Sequence, residues 1–191
     1  MENTDKSLIE AHCKGDANAF GELVRRYGDG VLGYLIRMTG NREQAEDIFQ
    51  ETFKRVHQKS HTLQSSEFKS WLFKIATNAA LDGLRKKIKV SSREKKINFV
   101  DCDGGKNAEV LAADNSHNPS VELEKAEQVQ QVRQAVESLP NRQRATLVLA
   151  YYQQLSYREV AMVLGCSVGT VKTQMYRALR TLAQKLPEIE L

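Results

Sequence analysis

The sequence is poor in the residues that interrupt helices. Its 191 residues include only 11 glycines and 3 prolines, and no β-branched run alternates with polar residues as a half-buried strand would. No apolar stretch approaches the roughly 18 residues of a membrane span. The N-terminal MENTDKSLIEAHCKGD lacks the apolar core of a signal peptide. These absences predict an all-α, cytoplasmic protein.

The chain also lacks the side-chain patterns of most catalytic and metal sites. Cys13, Cys102 and Cys166 show no CxxC spacing, so in a reducing compartment we expect free thiols. The four histidines lack the spacing of a zinc site. A Gly-rich phosphate loop, HExxH, GxSxG and a convergent His–carboxylate set are absent from the sequence. We therefore expect no metal, no cofactor and no enzymatic activity.

Helical periodicity divides the chain into two parts. Apolar residues recur at helical spacing over 17–38, from Asn41 through Val56 and over 67–87, with a weaker helix near 5–14. Periodicity is lost over about 90–120 and then returns. Lys and Arg outnumber Asp and Glu in both outer parts, whereas the segment between them is acidic. The pattern predicts two small helical domains, 1–89 and 121–191, joined by a flexible linker over 90–120.

The C-terminal part carries the pattern of a helix-turn-helix. Ser156 and Glu159 form a capping box that opens a short helix, and a tight turn at 165–167 precedes a last helix. Its apolar stripe is predicted to be Val171, Met175, Ala178, Leu179 and Leu182. Its outward face is then Gly169, Thr170, Lys172, Thr173, Tyr176, Arg177 and Arg180.

That outward face suits the DNA major groove. Lys172 and Arg177 can donate to guanine or phosphate, and Thr173 can reach either. Gly169 allows a close approach of the backbone, and Arg158 lies at a helix N-terminus that can hold phosphate. The alternative is an ordinary antiparallel helix pair with a solvated basic face.

Two motif sets resemble a known family. The C-terminal segment closely resembles region 4 of extracytoplasmic-function sigma factors. The matching residues are Leu139-Pro140, Leu155-Ser156-Tyr157, Leu164-Gly165-Cys166-Ser167, Gly169-Thr170-Val171-Lys172 and Arg177-Ala178. In the N-terminal half, Asp47-Ile-Phe-Gln50-Glu51-Thr-Phe53 is similar to the polymerase-binding motif of their region 2. The stretch with Phe68, Trp71-Leu72, Ile75-Ala76, Asn78, Asp82 and Arg85 is similar to their promoter-melting helix. Together these matches cover nearly the whole chain.

The resemblance implies a subunit that directs RNA polymerase to promoters, controlled by an anti-sigma factor. Region 2 would dock on the β′ clamp helices and melt the −10 element, while region 4 would bind the β flap and read the −35 element. The implied polymerase-binding residues are Asp47, Gln50, Glu51 and Lys54. The implied −10 residues are Leu63, Gln64, Ser65, Ser66, Phe73, Lys74, Thr77, Asn78 and Arg85. The implied −35 residues are Arg158, Ser167, Gly169, Thr170, Lys172, Thr173, Tyr176, Arg177 and Arg180.

Several alternatives stay open at this point. A helix-turn-helix repressor or activator would need no polymerase, and its first domain would dimerise or sense a ligand. The basic run from Arg85 to Lys96 is compatible with DNA tracking or with a solvated tail. Trp71, Phe53 and Asp82 are expected to be structural. Gln174 stands where the family often carries arginine, which leaves the −35 sequence preference undetermined.

Overall fold

The computed structural model describes residues 4–63, 67–94 and 119–186, and every regular element in those ranges is helical. The predicted all-α class is confirmed. The N-terminal half contains α1 (Asp5–Cys13), α2 (Ala17–Thr39), α3 (Arg42–Lys59), a short 3₁₀ turn (Ser60–Thr62) and α4 (Phe68–Glu94). The C-terminal half contains α5 (Pro119–Glu137), α6 (Asn141–Leu147), a π-helical turn (Val148–Tyr152), α7 (Tyr157–Leu164) and α8 (Val168–Lys185). Gln64–Ser66 and residues 95–118, which include Cys102, lie outside the described residues.

The helix ends follow the local sequence. Asp16 accepts a hydrogen bond from the Asn18 amide at 2.9 Å, and Asn41 accepts one from the Gln44 amide at 2.7 Å, so a side chain satisfies an otherwise unpaired donor at each start. Gly40 ends α2 in the left-handed conformation at φ 69°, which costs glycine nothing because it has no Cβ.

The N-terminal half is built around α2. Leu23, Val31 and Leu35 on this helix are buried, and α2 packs against α1, α3 and α4. From α3, Phe53 is only 6% exposed, which confirms the expectation that it belongs to the core. Trp71 is half-buried and packs on the core from its edge.

α4 is buried on more sides than its sequence pattern predicts. The expected stripe at Phe68, Leu72 and Ala76 is buried. Phe73 and Thr77 were predicted to face outward, but they are only 1% exposed. The amphipathic pattern marks one apolar face of α4, whereas the structure packs this helix against α2, α3 and, from the other half, α7.

The C-terminal half has two features that the sequence analysis did not indicate. α6 changes at Val148 into a wider turn, in which the Gln153 amide donates to the Val148 carbonyl at 3.2 Å. Leu179 was predicted to face inward, but it is 43% exposed. The buried stripe of α8 is narrower than the sequence suggested, because no helix of the described chain covers the flank where Leu179 lies.

The two halves share one continuous hydrophobic cluster. Its members come from α1 to α4 and from α5 to α8, and the most extensive contact between the halves is that of α4 with α7. The helix predicted to carry the −10 surface is thus part of the interface between the two halves.

A buried hydroxyl pair fixes α2 against α4. The Tyr34 and Thr77 hydroxyls are 2.7 Å apart, and burial raises the pKa of Tyr34 above its ordinary value, so the phenol stays neutral. We expect Tyr34→Phe to lower the free energy of unfolding by about 1–3 kcal/mol, because it leaves the Thr77 hydroxyl buried and unpaired. Adding Thr77→Val should recover part of that loss in urea denaturation. Equal losses in the single and double variants would contradict this role.

The capping box of α7 makes stability depend on pH. The Ser156 amide donates to Glu159 Oε2 at 2.7 Å, and hydrogen bonds from Ser156 hold the pKa of Glu159 below its usual 4.5. This stabilisation is therefore complete above pH 4.5 and is lost as pH falls through the lower folded pKa. Glu159→Gln keeps an acceptor but cannot titrate. We expect thermal melts of this variant to lose part of the acid dependence of wild type, and an unchanged profile would contradict the assignment.

Candidate functional site

One face of α3 presents the predicted docking residues to solvent. Asp47, Gln50 and Lys54 are exposed, while Glu51 is partly covered because Arg55 Nε donates to its Oε1 at 2.7 Å. The face is available in this conformation, as the sequence predicted.

A cleft of about 550 Å³ runs between this face and α4. Its lining residues are Asp47, Ile48, Glu51, Arg55, Ala79, Asp82, Gly83 and Arg85. Arg55 was not in the predicted docking set, although its spacing of four residues from Glu51 favours a helical ion pair. Asp82 was expected to be structural, yet its carboxylate is 3.2 Å from Arg85 on the cleft rim with a side chain 58% exposed.

The charges of the cleft are largely internally compensated. Glu51 pairs with Arg55, and Asp82 pairs with Arg85. Asp47 makes no ion pair with any residue that the structure describes. A cationic side chain of a partner can therefore pair directly with Asp47. To pair with Glu51 or Asp82, it must first displace Arg55 or Arg85.

The predicted −10 residues divide into exposed and buried groups. Lys74, Asn78 and Arg85 are exposed, and Leu63 is half-buried against the core. Phe73 lies edge-on to Tyr34 with ring centroids 5.5 Å apart, and Thr77 is bonded to the same residue. The outward aromatic expected for base stacking is therefore covered in this conformation, because Tyr34 of α2 packs against it. Gln64, Ser65 and Ser66 lie outside the described residues.

The predicted −35 residues are all exposed. Ser167 caps α8 by accepting from the Thr170 amide at 3.1 Å, and its hydroxyl lies 2.9 Å from that of Thr170. Thr173 donates its hydroxyl proton to the Gly169 carbonyl at 3.0 Å. The exposed members are Arg158, Ser167, Gly169, Thr170, Lys172, Thr173, Tyr176, Arg177 and Arg180.

These hydrogen bonds decide which side chains of α8 still have free donors. The hydroxyls of Ser167 and Thr170 interact with each other at the start of the helix, and Thr173 donates its only hydroxyl proton within the helix. Long donors remain at Lys172 and Arg177, and neither forms an ion pair with a described residue. Guanine or phosphate contacts are therefore best made by these two side chains.

A second cleft, of about 390 Å³, joins the two predicted DNA surfaces. Arg85 from α4 and Arg177 from α8 line it together with Arg142, the second residue of α6. Sequence reasoning missed Arg142, because the N-terminal end of α6 carries no motif of its own. Three arginines, contributed by both halves, therefore line this cleft.

The described residues contain no group of three or more His, Cys, Asp or Glu side chains placed to hold a metal ion. None of the described helices is both long and apolar enough to cross a membrane. Cys13 and Cys166 are free thiols.

Comparison with known proteins identifies the family. The Sigma-70 region 2 family matches residues 23–89, and the Sigma-70, region 4 family matches residues 129–182. The chain is 32% identical over 192 residues to the ECF RNA polymerase sigma factor SigW of Bacillus subtilis, covering 99% of this chain and 100% of that protein. The chain belongs to the extracytoplasmic-function (ECF) sigma factors. The ECF RNA polymerase sigma-E factor of Salmonella typhimurium is 31% identical over 185 residues, covering 96% of this sigma factor and 94% of that one.

Solved sigma-factor structures share its fold. The sigma factor RpoE from Bartonella quintana, in complex with the anti-sigma factor NepR, superposes with a TM-score of 0.70 at 22% identity, covering 90% of this chain and 98% of that chain. CnrH, in complex with the cytosolic domain of CnrY, gives a TM-score of 0.68 at 23% identity, covering 98% and 99%. Members of this family are transcription initiation factors and not enzymes.

The predicted DNA contact of Gly169 can be tested without disturbing the fold. A Cβ there would meet only Ser167 Oγ at 3.7 Å, an ordinary contact, so the fold does not require glycine in this position. We expect Gly169→Ala to raise the free energy of unfolding by up to about 1 kcal/mol through helix propensity. The same change should weaken binding to a duplex carrying the −35 element, because the added methyl keeps the backbone from the DNA. Fluorescence anisotropy measures the binding, and unchanged affinity would contradict the contact.

Proposed function

We propose that this sigma factor docks on the β′ clamp helices through α3 and positions α8 in the major groove of the −35 element. The observation that carries the proposal is the coexistence of two exposed faces in one chain of this family. An acidic face with a cleft beside it lies on α3, and a capped helix with its polar side exposed lies at the other end of the chain.

The α3 face suits a partner that carries arginine or lysine. Asp47 is unopposed by described residues, and Glu51 and Asp82 can each release one guanidinium to accept another. Charge complementarity of this kind favours orientation and rate of association more than affinity. Such charge complementarity therefore suits a subunit that repeatedly binds to RNA polymerase and dissociates from it.

The α4 surface is proposed to capture the −10 element, with Lys74, Asn78 and Arg85 on the backbone and bases. Flipping a base out of the stack costs a few kcal/mol. Stacking on an aromatic side chain returns about 1–3 kcal/mol per base, so Phe73 would serve best once exposed.

We further propose that an anti-sigma factor holds this protein inactive. The fold is shared with RpoE of Bartonella quintana, whose structure was solved in complex with the anti-sigma factor NepR. The exposed aromatic residues Tyr151 and Tyr176, 73% and 66% exposed, are candidates for contacts with protein partners. Binding of the C-terminal half to the β flap would also use exposed apolar residues, so the flap and the anti-sigma factor would compete for them.

Reversing the charge of the α3 face tests the docking. We expect Asp47→Arg with Glu51→Arg to reduce run-off transcription by core RNA polymerase at least tenfold, because two attractive contacts become repulsive and Arg55 loses its partner. The template carries the promoter upstream of the protein's own operon. Duplex binding by α8 should be unchanged, which shows that the variant is folded.

The matched control is Glu10→Arg with Glu127→Arg, which makes the same change in net charge at two exposed carboxylates away from the cleft. Full transcription in the control and loss in the test variant support docking through α3. Equal transcription in both variants would contradict it. Tight duplex binding without any transcript from wild type would favour a repressor instead.

A further inference from the structure

Three arginines from three different helices line one cleft of about 390 Å³, which we call the arginine cleft. Arg85 lies on α4, Arg142 on α6 and Arg177 on α8, and all three are exposed. Its described lining residues include no carboxylate. Arg142 and Arg177 form no ion pair with a residue that the structure describes, and the described partner of Arg85 is the exposed Asp82. The cleft therefore concentrates positive charge that is largely uncompensated, which attracts anions.

The remaining polar side chains of the arginine cleft are amides. They belong to Asn141, Gln143 and Gln174. Gln143 Oε1 is buried and has no hydrogen-bond partner among the described residues. Because a half-turn of the amide exchanges its oxygen and nitrogen, this side chain can offer either an acceptor or a donor. Guanidinium and amide donors are groups that bind phosphate oxygens. The arginine cleft thus has the donors of a phosphate site.

A smaller cleft of about 230 Å³ adjoins the first and has a different chemistry. The two clefts share Leu81, Arg85 and Arg142. The smaller one adds the apolar side chain of Leu164 and the polar side chains of Asn78 and Asp82. A carboxylate can accept hydrogen bonds from ribose hydroxyls, and an amide can pair with the edge of a base. Asp82 repels phosphate, so this second cleft suits a nucleoside instead.

Hydrogen bonds between the halves hold the walls of the arginine cleft in place. Arg144 of α6 is only 8% exposed, and its Nη1 donates to the carbonyl of Met38 in α2 at 2.7 Å. Gln153 Nε2 donates to the carbonyl of Gly30 at 3.1 Å, and Lys69 Nζ donates to the Gln153 carbonyl at 2.8 Å. A site whose walls are already fixed requires little ordering when a ligand binds.

The spacing of promoter elements favours a small ligand over a DNA duplex in the arginine cleft. Arg85 and Arg177 are predicted to contact the −10 and −35 elements, which lie about 25 base pairs apart. At about 3.4 Å per base pair this separation is roughly 85 Å, whereas here the two arginines line one cleft. The volume of this cleft lies within the roughly 300–1,000 Å³ of small-molecule sites. A compact anion with several phosphates can therefore contact all three arginines at once, and a promoter duplex cannot.

We propose that the arginine cleft binds a nucleoside polyphosphate, with its phosphates on Arg85, Arg142 and Arg177 and its nucleoside toward Asn78 and Asp82. The site itself goes beyond the proposed function. One consequence rests on that function: the nucleotide competes with promoter DNA, because Arg85 and Arg177 belong to the predicted DNA surfaces. Arg142 belongs to neither surface, so its substitution separates nucleotide binding from DNA binding.

Isothermal titration calorimetry on the full chain measures the binding. The probes are ATP, GTP and inorganic tripolyphosphate, at constant ionic strength. We expect Arg142→Ala to weaken nucleotide binding about tenfold, because it removes charged hydrogen-bond donors from the phosphates. Arg25→Ala is the matched control, since it removes the same side chain at a position on α2 that is 78% exposed and outside both clefts. Circular dichroism verifies that both variants keep their helical content.

Gln174 allows the charge of the arginine cleft to be changed in both directions. Gln174→Glu adds a carboxylate to its lining, and Gln174→Arg adds a fourth guanidinium. We expect the first change to weaken nucleotide binding several-fold and the second to strengthen it several-fold. A merely structural role of this half-buried side chain would make both changes weaken binding, which would overturn the phosphate assignment.

Three other results of the titrations would overturn the proposal. The first is no heat of binding with millimolar ATP or GTP. The second is an equal loss of affinity in Arg142→Ala and Arg25→Ala, which would indicate attraction to the net charge of the protein and not to a site. The third is an equal affinity for tripolyphosphate and for both nucleotides, which would overturn the placement of the nucleoside in the smaller cleft.

Fluorescence anisotropy with a labelled −35 duplex tests the competition. We expect ATP to raise the apparent Kd of wild type for the duplex and to have little effect on Arg142→Ala. An equal effect of ATP on both proteins would overturn competition at this site. Duplex binding without nucleotide binding would overturn the inference alone. Nucleotide binding without duplex binding would support the site and contradict the proposed function.

Discussion

The packing of α4 between α3 and α7 is the contact on which the rest of the structure depends. α4 completes the core of the N-terminal half through Phe68, Leu72 and Ala76, and it supplies the other half with its largest contact across the molecule. Each additional side of a helix that is buried removes apolar area from water, at roughly 25 cal/mol per Å². The same burial removes that surface from any other use, including the nucleic-acid binding that the sequence predicts for α4.

The other two predicted surfaces, the face of α3 and the start of α8, are exposed in the same structure. The α3 face meets solvent beside a cleft whose carboxylates are mostly paired. The start of α8 is held by the Ser167 cap, while the long basic side chains point outward. Neither surface needs the two halves to be apart. The structure therefore exposes the residues predicted to dock and to contact the −35 element, whereas it buries Phe73 and Thr77 of the predicted −10 surface.

Much of this organisation could be predicted from the sequence. The capping box at Ser156 and Glu159, the stop at Gly40 and the outward face of α8 follow from local hydrogen-bond chemistry and helical periodicity, which are encoded within a few residues. The burial of Phe73 and Thr77 could not be predicted, because both side chains meet Tyr34 of α2, which lies 43 positions before Thr77 along the chain. The role of Arg144 could not be predicted for the same reason, because its Nη1 donates to the Met38 carbonyl of the other half, 106 positions away. The π-helical turn at Val148–Tyr152 also has no signature in hydrophobic periodicity.

The chemistry of the contacts between the halves has a consequence for ionic strength. Arg144, Lys69 and Gln153 all donate to backbone carbonyls across the interface, and these bonds are short-ranged and partly shielded from solvent. Dissolved ions screen exposed charge pairs far more than such contacts, whereas binding to phosphates weakens steeply as counterions are added. Changes in salt should therefore act on the promoter complex with little effect on the association of the two halves. By this argument, added salt weakens the predicted DNA binding while the contact between the two halves stays in place.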